Sequence, residues 1–522
     1  MYNTTGQAVK SPRSKTVDTH HEYPYSGNAI RIGNALTLYQ HAVETGYSVL
    51  GSMSRHDAWR RFKLLQQNQW LPYEQIEKLH WKKLKDLLVF AEREIPFYRD
   101  LWRKHDVDVH RLTSPEDMSA LPVVTKNDLI AGLRENLFPL PEHQKYQMVQ
   151  TSGTTGPRFQ IPLRLEDFQQ KYASYLRQHY VTEWRLGLRS AALHYSGHME
   201  FSGRYSGRDD RDTHVVIKRL AYRFAHRRRL LEPYWERFSG NDSFARGWYE
   251  ELRRWRPYLL ETMDFNIIDL ANYIEENDLP PFRIPKIIVL GTLNTGLLGR
   301  LKRLFSTEIF DRYGPHEMEG VAFACSEHRG MHIAHDSVRV EFLDDDYRTV
   351  APMEVGHVVL TDLDTRLMPL IRYQIGDLGF FEEEPCRCGR GFPLMGELEG
   401  RTIDLFELKT GRKVPPARVN AVLQDEPVVR LFQIVQHADN TISVNIVPDK
   451  KRYSETVRQR ITKNLLDLLG ADEQISINLV EKVTLEPNGK FSFSKRSAAD
   501  RWSSLITSNR AQNDMPGSNA SA

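Results

Sequence analysis

Between residues 286 and 310 the chain reads strand, helix, strand, and this stretch constrains the fold more than any other. Lys286-Ile287-Ile288-Val289-Leu290-Gly291 is a short apolar run closed by glycine, the pattern of a strand buried on both faces. Residues 297–305 follow with helical composition, and 307–310 return as a second strand. Two such strands joined by a helix run parallel, so an α/β domain with a largely parallel sheet is expected. Upstream, Leu84, Leu87, Leu88 and Ala91 share one helix face within 73–90, which Pro96 closes. Helix starts are read at Thr113-Ser114-Pro115-Glu116 and at Pro122 with Thr125, and helices over 248–259 and 267–277.

Beyond Met331 the pattern changes to strands at 338–342, 357–361 and 379–382, a β-rich appendage. Strands at 428–435, 441–447 and 476–480 with a helix at 454–468 make a small α+β unit. The expected organisation is a tail at 1–25, a large N-terminal domain of several subdomains and mixed sheets over 26–400, a small mobile α+β domain over 401–507, and a second tail at 508–522. A chain of 522 residues exceeds what one core needs. Its 71 basic against 68 acidic residues exclude a dedicated nucleic-acid binder. No run of eighteen apolar residues and no apolar leader is present, so no membrane span is expected and a cytoplasmic location is.

Thr151-Ser152-Gly153-Thr154-Thr155-Gly156-Pro157 carries the chemistry. Glycines let backbone N–H groups approach an anion, and hydroxyls add donors, so such a loop suits phosphate oxygens. It is not the Walker loop, which requires a Gly-Lys-Ser/Thr ending. It resembles the phosphate-binding loop of the adenylate-forming superfamily of acyl-CoA synthetases and adenylation domains. Four further segments resemble that family's motifs in order: Tyr313-Gly314-Pro315-His316-Glu317, Arg372-Tyr373-Gln374-Ile375-Gly376-Asp377, Gly400-Arg401-Thr402-Ile403-Asp404 and Pro487-Asn488-Gly489-Lys490. Within the superfamily the chain is most similar to phenylacetate–CoA ligases and their capsular-polysaccharide relatives. Ile95-Pro96-Phe97-Tyr98-Arg99, Leu121-Pro122-Val123-Val124-Thr125-Lys126, Gly330-Met331-His332 and Cys386-Arg387-Cys388-Gly389-Arg390 carry that likeness.

The resemblance implies ATP-dependent, AMP-forming activation of a small carboxylic acid through an acyl-adenylate, then transfer to CoA. It implies that Thr151, Ser152, Gly153, Thr154, Thr155 and Gly156 hold the terminal phosphates of ATP. Glu317 would hold Mg2+, and Asp377 and Arg401 would meet the ribose. Tyr313 would stack on adenine, with Gly291 and Gly314 beside the base, and Lys490 would bridge the carboxylate and the α-phosphate. The chain departs from the family in carrying His316 for a phosphate-contacting threonine, Gln374 and Ile375 for Arg and Thr, and Ile403 at the hinge. These departures keep two alternatives open: transfer to an amine, hydroxyl or carrier thiol in polysaccharide or secondary-metabolite synthesis, and a non-catalytic binding protein retaining the fold. Tyr195 and Phe201 are candidates for an acyl pocket drawn from 190–205 and 261–270; a homodimer is compatible with the sequence.

The three cysteines, Cys325, Cys386 and Cys388, form with His332 a Cys3His set suited to a structural zinc ion. His328 and His335 are alternative fourth ligands. Residues 218–229 (KRLAYRFAHRRR) are strongly basic, and Leu220, Phe224 and Leu231 would share a helical face. That stretch reads as a solvated amphipathic helix, or as a patch for CoA phosphates, an acidic carrier protein or a membrane surface.

Overall fold

The computed structural model describes residues 40–46, 48, 58–140, 146–150, 159–193, 227–231, 243–291, 295–315, 317–483 and 492–497. Both tails, the phosphate loop 151–156, His316, Lys490, Tyr195, Phe201 and the larger part of the basic stretch lie outside these residues.

The expected parallel sheet is present, extended by antiparallel strands. Arg228–Leu230, Ser190–Ala192, Leu259–Met263, Lys286–Leu290 and Glu308–Tyr313 lie side by side in that order, all parallel. Ala322–Phe323, Met331–Ile333 and Leu394–Met395 continue the same sheet antiparallel. Ile287, Ile288 and Val289 are buried on both faces, as their unbroken apolar run requires. The Asp264–Glu276 and Thr295–Phe305 helices bury Ile267, Leu270, Ile274, Leu301 and Phe305 in one core with that strand.

A second core gathers the N-terminal helices and a second sheet. On the Tyr73–Glu94 helix Leu84, Leu87, Leu88 and Ala91 are fully buried, which stabilises by about 2 kcal/mol per leucine. The second sheet is antiparallel and runs Val338–Leu343, Gly356–Asp362, Tyr373–Gly379, Gly400–Arg401. From Phe406 onward the chain has a core of its own. There Val429–Gln436 pairs with Ile442–Pro448 and Ser494–Arg496, and Ile475–Leu479 closes the other edge. The Glu455–Leu469 helix starts at Ser454, whose hydroxyl accepts from Val457 N, and buries Val457, Ile461, Leu465 and Leu469 every fourth residue.

Three expectations need correction. The helix read over 248–259 is Ser243–Trp255, and Leu259 opens the strand Leu259–Met263. Pro257 cannot supply a helical N–H, and the chain turns before it. The strand read at 379–382 is Tyr373–Gly379, whose polar Gln374 and Asp377 mask its period. The basic stretch does not end as a helix. Arg228–Leu230 is the edge strand of the parallel sheet, and Arg228 is buried against Glu261 at 3.2 Å rather than solvated.

Candidate active site

The carboxyl ends of the parallel strands meet the second sheet, the place where open α/β sheets bind ligands. Gly291 ends one strand with φ +133°, and a Cβ there would lie 2.4 Å from Asp264 Oδ2. Only glycine suits that backbone and that gap. Tyr313 ends the next strand. Its buried hydroxyl donates to Asp377 Oδ2 at 2.8 Å, across from the second sheet. Asp377 stands opposite Arg401 in the antiparallel pair, with Arg401 Nε 3.5 Å from Asp377 Oδ1.

After Tyr313 the backbone folds tightly back. A Cβ on Gly314 would meet Gly320 N at 2.7 Å, and Met318 N donates to Pro315 O at 3.0 Å. This turn carries Glu317, held from behind by Lys171 Nζ donating to Glu317 O at 2.9 Å. Burial raises the Glu317 carboxyl above its usual range; Asp377 adds to the rise, while Lys126 and Arg401 oppose it. Burial likewise lowers the Lys126 ammonium, against the attraction of Glu317. Burial also pushes the Tyr313 and Tyr373 phenols well above the usual value.

Lys126 is a neighbour of the site that sequence reasoning passed over as a site residue. It opens the Lys126–Arg134 helix, capped by Thr125 and Asp128 through a reciprocal pair of side-chain bonds. Val124, just before the cap, donates to Arg372 O at 2.9 Å and accepts from Gln374 N at 2.9 Å. The capping box was the signal for the helix. The docking that brings it beside the Asp377 strand joins residues some 250 positions apart, which no local pattern reveals. Arg372 itself is buried and ion-pairs with Glu341 at 3.2 Å, so it braces the strand.

The structure thus brings Gly291, Tyr313, Gly314, Glu317, Asp377 and Arg401 to one end of the sheet. The strands Tyr146–Gln150 and Gln160–Arg164 pair antiparallel on either side of the phosphate-loop sequence. Of the proposed acyl-pocket residues, Glu261 is committed elsewhere: it accepts from the Tyr175 hydroxyl at 2.9 Å and pairs with Arg312 at 2.7 Å. Beyond Arg401, Thr402–Asp404 forms a single 3-10 turn with Asp404 buried, and the Thr402 hydroxyl meets His357 Nδ1 at 3.2 Å.

A second constellation lies at the antiparallel end of the large sheet. One ligand atom from each of Cys325, His332, Cys386 and Cys388 falls within 4.8 Å of the others. Cys325 Sγ and Cys386 Sγ are 3.6 Å apart, and Cys388 Sγ is 3.2 Å from His332 Nε2. A tetrahedral zinc ion with Zn–S near 2.3 Å has S···S edges of about 3.8 Å. His332 is fully buried, and burial lowers its imidazole to about 4, the neutral form a metal requires. Burial and the neighbouring thiols push Cys325 up to about 12. Of the alternative ligands, His328 bonds Glu308 at 3.0 Å and His335 bonds Glu77 at 2.6 Å, which leaves both outside the cluster.

Residues 406–497 match the model of the CapK C-terminal domain. Over 443 residues the chain is 27% identical to a phenylacetate–coenzyme A ligase of Thermus thermophilus, covering 80% of this chain and 94% of that protein. A second phenylacetate–coenzyme A ligase, from Pseudomonas putida, is 22% identical over 84% of this chain and 95% of its own length. Among solved structures, 2-hydroxyisobutyryl-CoA ligase in the postadenylation state with 2-HIB-AMP superimposes with a TM-score of 0.69 at 19% identity, covering 85% of this chain and 94% of that one. The fold is therefore that of adenylate-forming CoA ligases, and the chain resembles the phenylacetate–CoA ligases along nearly their whole length. Among the described residues no helix is long and apolar enough to cross a membrane.

Proposed function

We propose that the protein is an ATP-dependent, AMP-forming acid–CoA ligase. The observation that carries this reading is the convergence of Tyr313, Asp377, Arg401 and Glu317 from two sheets at the carboxyl end of the parallel strands. The relatives named phenylacetate–coenzyme A ligase support the reaction class.

Each side chain suits one part of the task. Asp377, oriented by the Tyr313 hydroxyl, is an acceptor for ribose hydroxyls, which are donors that water would otherwise satisfy. Arg401 lies 3.5 Å from the other oxygen of that carboxylate. Glu317 has no side-chain partner among the described residues and is a hard oxygen donor, which fits Mg2+. When bound, that ion would neutralise charge on the phosphates. The segment Thr151, Ser152, Gly153, Thr154, Thr155 and Gly156 would hold those phosphates, and Lys490, brought by the C-terminal unit of residues 401–507, would meet the α-phosphate. The reaction is then positioning and charge stabilisation. The substrate carboxylate attacks the α-phosphorus, pyrophosphate leaves, and the CoA thiolate displaces AMP from the acyl carbon. Cys325, His332, Cys386 and Cys388 fit a structural zinc ion that would tie two chain segments some sixty residues apart.

The test is pyrophosphate release from ATP with a panel of aryl, fatty and hydroxy acids, with and without CoA, beside Lys490→Ala. Acid-dependent release that is lost in the variant is expected, with AMP release accelerated by CoA. Failure to bind ATP would sink the enzyme reading. Adenylation that CoA does not discharge would move the acceptor to an amine, hydroxyl or carrier thiol.

A further inference from the structure

The amino ends of the same parallel strands frame an open cavity of about 580 Å³. Four arginines line it, Arg189, Arg227, Arg256 and Arg283, together with Tyr258 and Pro285. They are far apart in sequence. Arg189 precedes the strand Ser190–Ala192 and Arg227 precedes Arg228–Leu230. Arg256 lies just before Leu259–Met263 and Arg283 just before Lys286–Leu290. Parallel topology gathers all four at one edge. A five-residue strand spans roughly 17 Å. The cavity is therefore separated from Gly291 and Tyr313 by the length of the sheet, and a nucleotide bound there cannot occupy both.

Neighbouring cations pair with carboxylates, and among the described residues these four do not. Arg228 pairs with Glu261, Arg229 with Glu251 at 2.6 Å, and Lys286 with Glu183 and Glu308 at 2.8 and 2.6 Å. Among the described residues no carboxylate pairs with Arg189, Arg227, Arg256 or Arg283. One nitrogen of Arg189 donates to Trp255 O at 3.0 Å, capping a helix end, and its guanidinium lies 5.2 Å from the Trp255 ring centre; neither contact neutralises its charge. Arg227 and Arg256 take φ of 37° and 49°, a backbone region that side chains other than glycine rarely adopt. Arg256 takes its value as the residue that ends the Ser243–Trp255 helix, its N–H donating to Leu252 O at 2.8 Å, and this turn sets the arginine at the rim of the cavity. Four guanidinium groups gathered round one cavity, with no carboxylate partner among the described residues, repel each other, and a polyanion would relieve that repulsion. Their planar forks match phosphate oxygens two at a time.

We propose that this cavity is a second anion site, distinct from the adenylation site, for a ligand carrying two or more phosphate groups. The source is either a free polyphosphate compound or the head group of a phospholipid, and the experiment separates them. Full-length protein is first saturated with α,β-methylene-ATP to fill the adenylation site. Inorganic tripolyphosphate is then titrated calorimetrically into wild type, Arg227→Gln/Arg283→Gln and Arg283→Glu. In parallel, vesicles of phosphatidylcholine with and without cardiolipin, whose head group carries two phosphates, are sedimented with each protein. Arg283 is exposed, so its substitution keeps the fold even where Arg227 is needed.

One equivalent of tripolyphosphate bound by wild type, weakened at least tenfold in both variants, identifies a free polyphosphate. Sedimentation of wild type, but not the variants, with cardiolipin vesicles identifies the head group. In either case pyrophosphate release in the variants stays within twofold of wild type in the absence of the added anion. Equal binding by wild type and variants in both arms, or no binding by wild type in either, overturns the proposal.

Discussion

Removal of Asp377 tests the candidate site most directly. In Asp377→Ala the ribose loses its acceptor, and the Tyr313 hydroxyl, buried and bonded at 2.8 Å, loses its partner. A hydrogen bond to an ionised group contributes about 1.5–3 kcal/mol net. A ribose offers two hydroxyls, and water partly replaces the lost acceptor, so a loss of about 2–4 kcal/mol in ATP binding follows. That is a roughly 30- to 1,000-fold rise in Kd. Tyr313→Phe leaves the carboxylate in place but unanchored, with Arg401 still 3.5 Å away. Its effect is smaller, about 1–2 kcal/mol, or roughly 5- to 30-fold. Because the two groups touch, the double variant should resemble Asp377→Ala alone, with a coupling energy of about 1–2 kcal/mol. The assay is calorimetric titration of ATP into all four proteins, with thermal unfolding to check that each is folded. Dissociation constants that stay within twofold of wild type in both folded single variants would show that nucleotide binds elsewhere.

Three other predictions follow from features already described. The purified protein should carry about one zinc per chain by elemental analysis, and Cys386→Ser should lose it and unfold at a lower temperature; a metal-free wild type of unchanged stability would refute the site. Gly291→Ala should lower stability by more than the ~1–2 kcal/mol of a strained backbone, because its Cβ would also meet Asp264, and denaturant midpoints measure this. Glu317 has its folded-state value raised by burial, so the apo fold prefers it protonated. The stability of that preference is present below the ordinary glutamate value and is lost as pH rises through the raised one. Glu317→Gln should therefore melt at or above wild type at neutral pH, with the gap closing in acid, while Mg2+-dependent turnover collapses. A Gln variant that melts lower at neutral pH would contradict that sign.

Much of the fold was legible because local rules agreed. The run from Lys286 to Leu290 is too apolar for anything but a doubly buried strand, and Leu84, Leu87, Leu88 and Ala91 mark one helix face. Ser454 and Thr125 cap the helices they precede. What failed to show was set by tertiary contact. Leu259 looked like the end of a helix, and the strand Leu259–Met263 that it opens was hidden by the polar Glu261, whose carboxylate is buried among Tyr175, Arg228 and Arg312. Arg228 looked solvated for the same reason. The motif residues Tyr313, Asp377 and Arg401 were found by likeness to a family, but the bond between Tyr313 and Asp377 joins two sheets and has no sequence signature. Lys126 was visible as part of a helix start and invisible as a neighbour of Glu317.

Between Arg401, annealed to the Asp377 strand, and Phe406, where the C-terminal core begins, lie only residues 402–405. Even fully flexible, four residues give a root-mean-square reach of only about 10–12 Å. So short a leash makes the C-terminal unit a reactant at millimolar local concentration. Any encounter it makes with the nucleotide end of the sheet is first order, indifferent to how dilute the protein becomes. Cutting the chain within 402–405 would turn that encounter into a second-order collision, and turnover would then scale with the concentration of the severed piece.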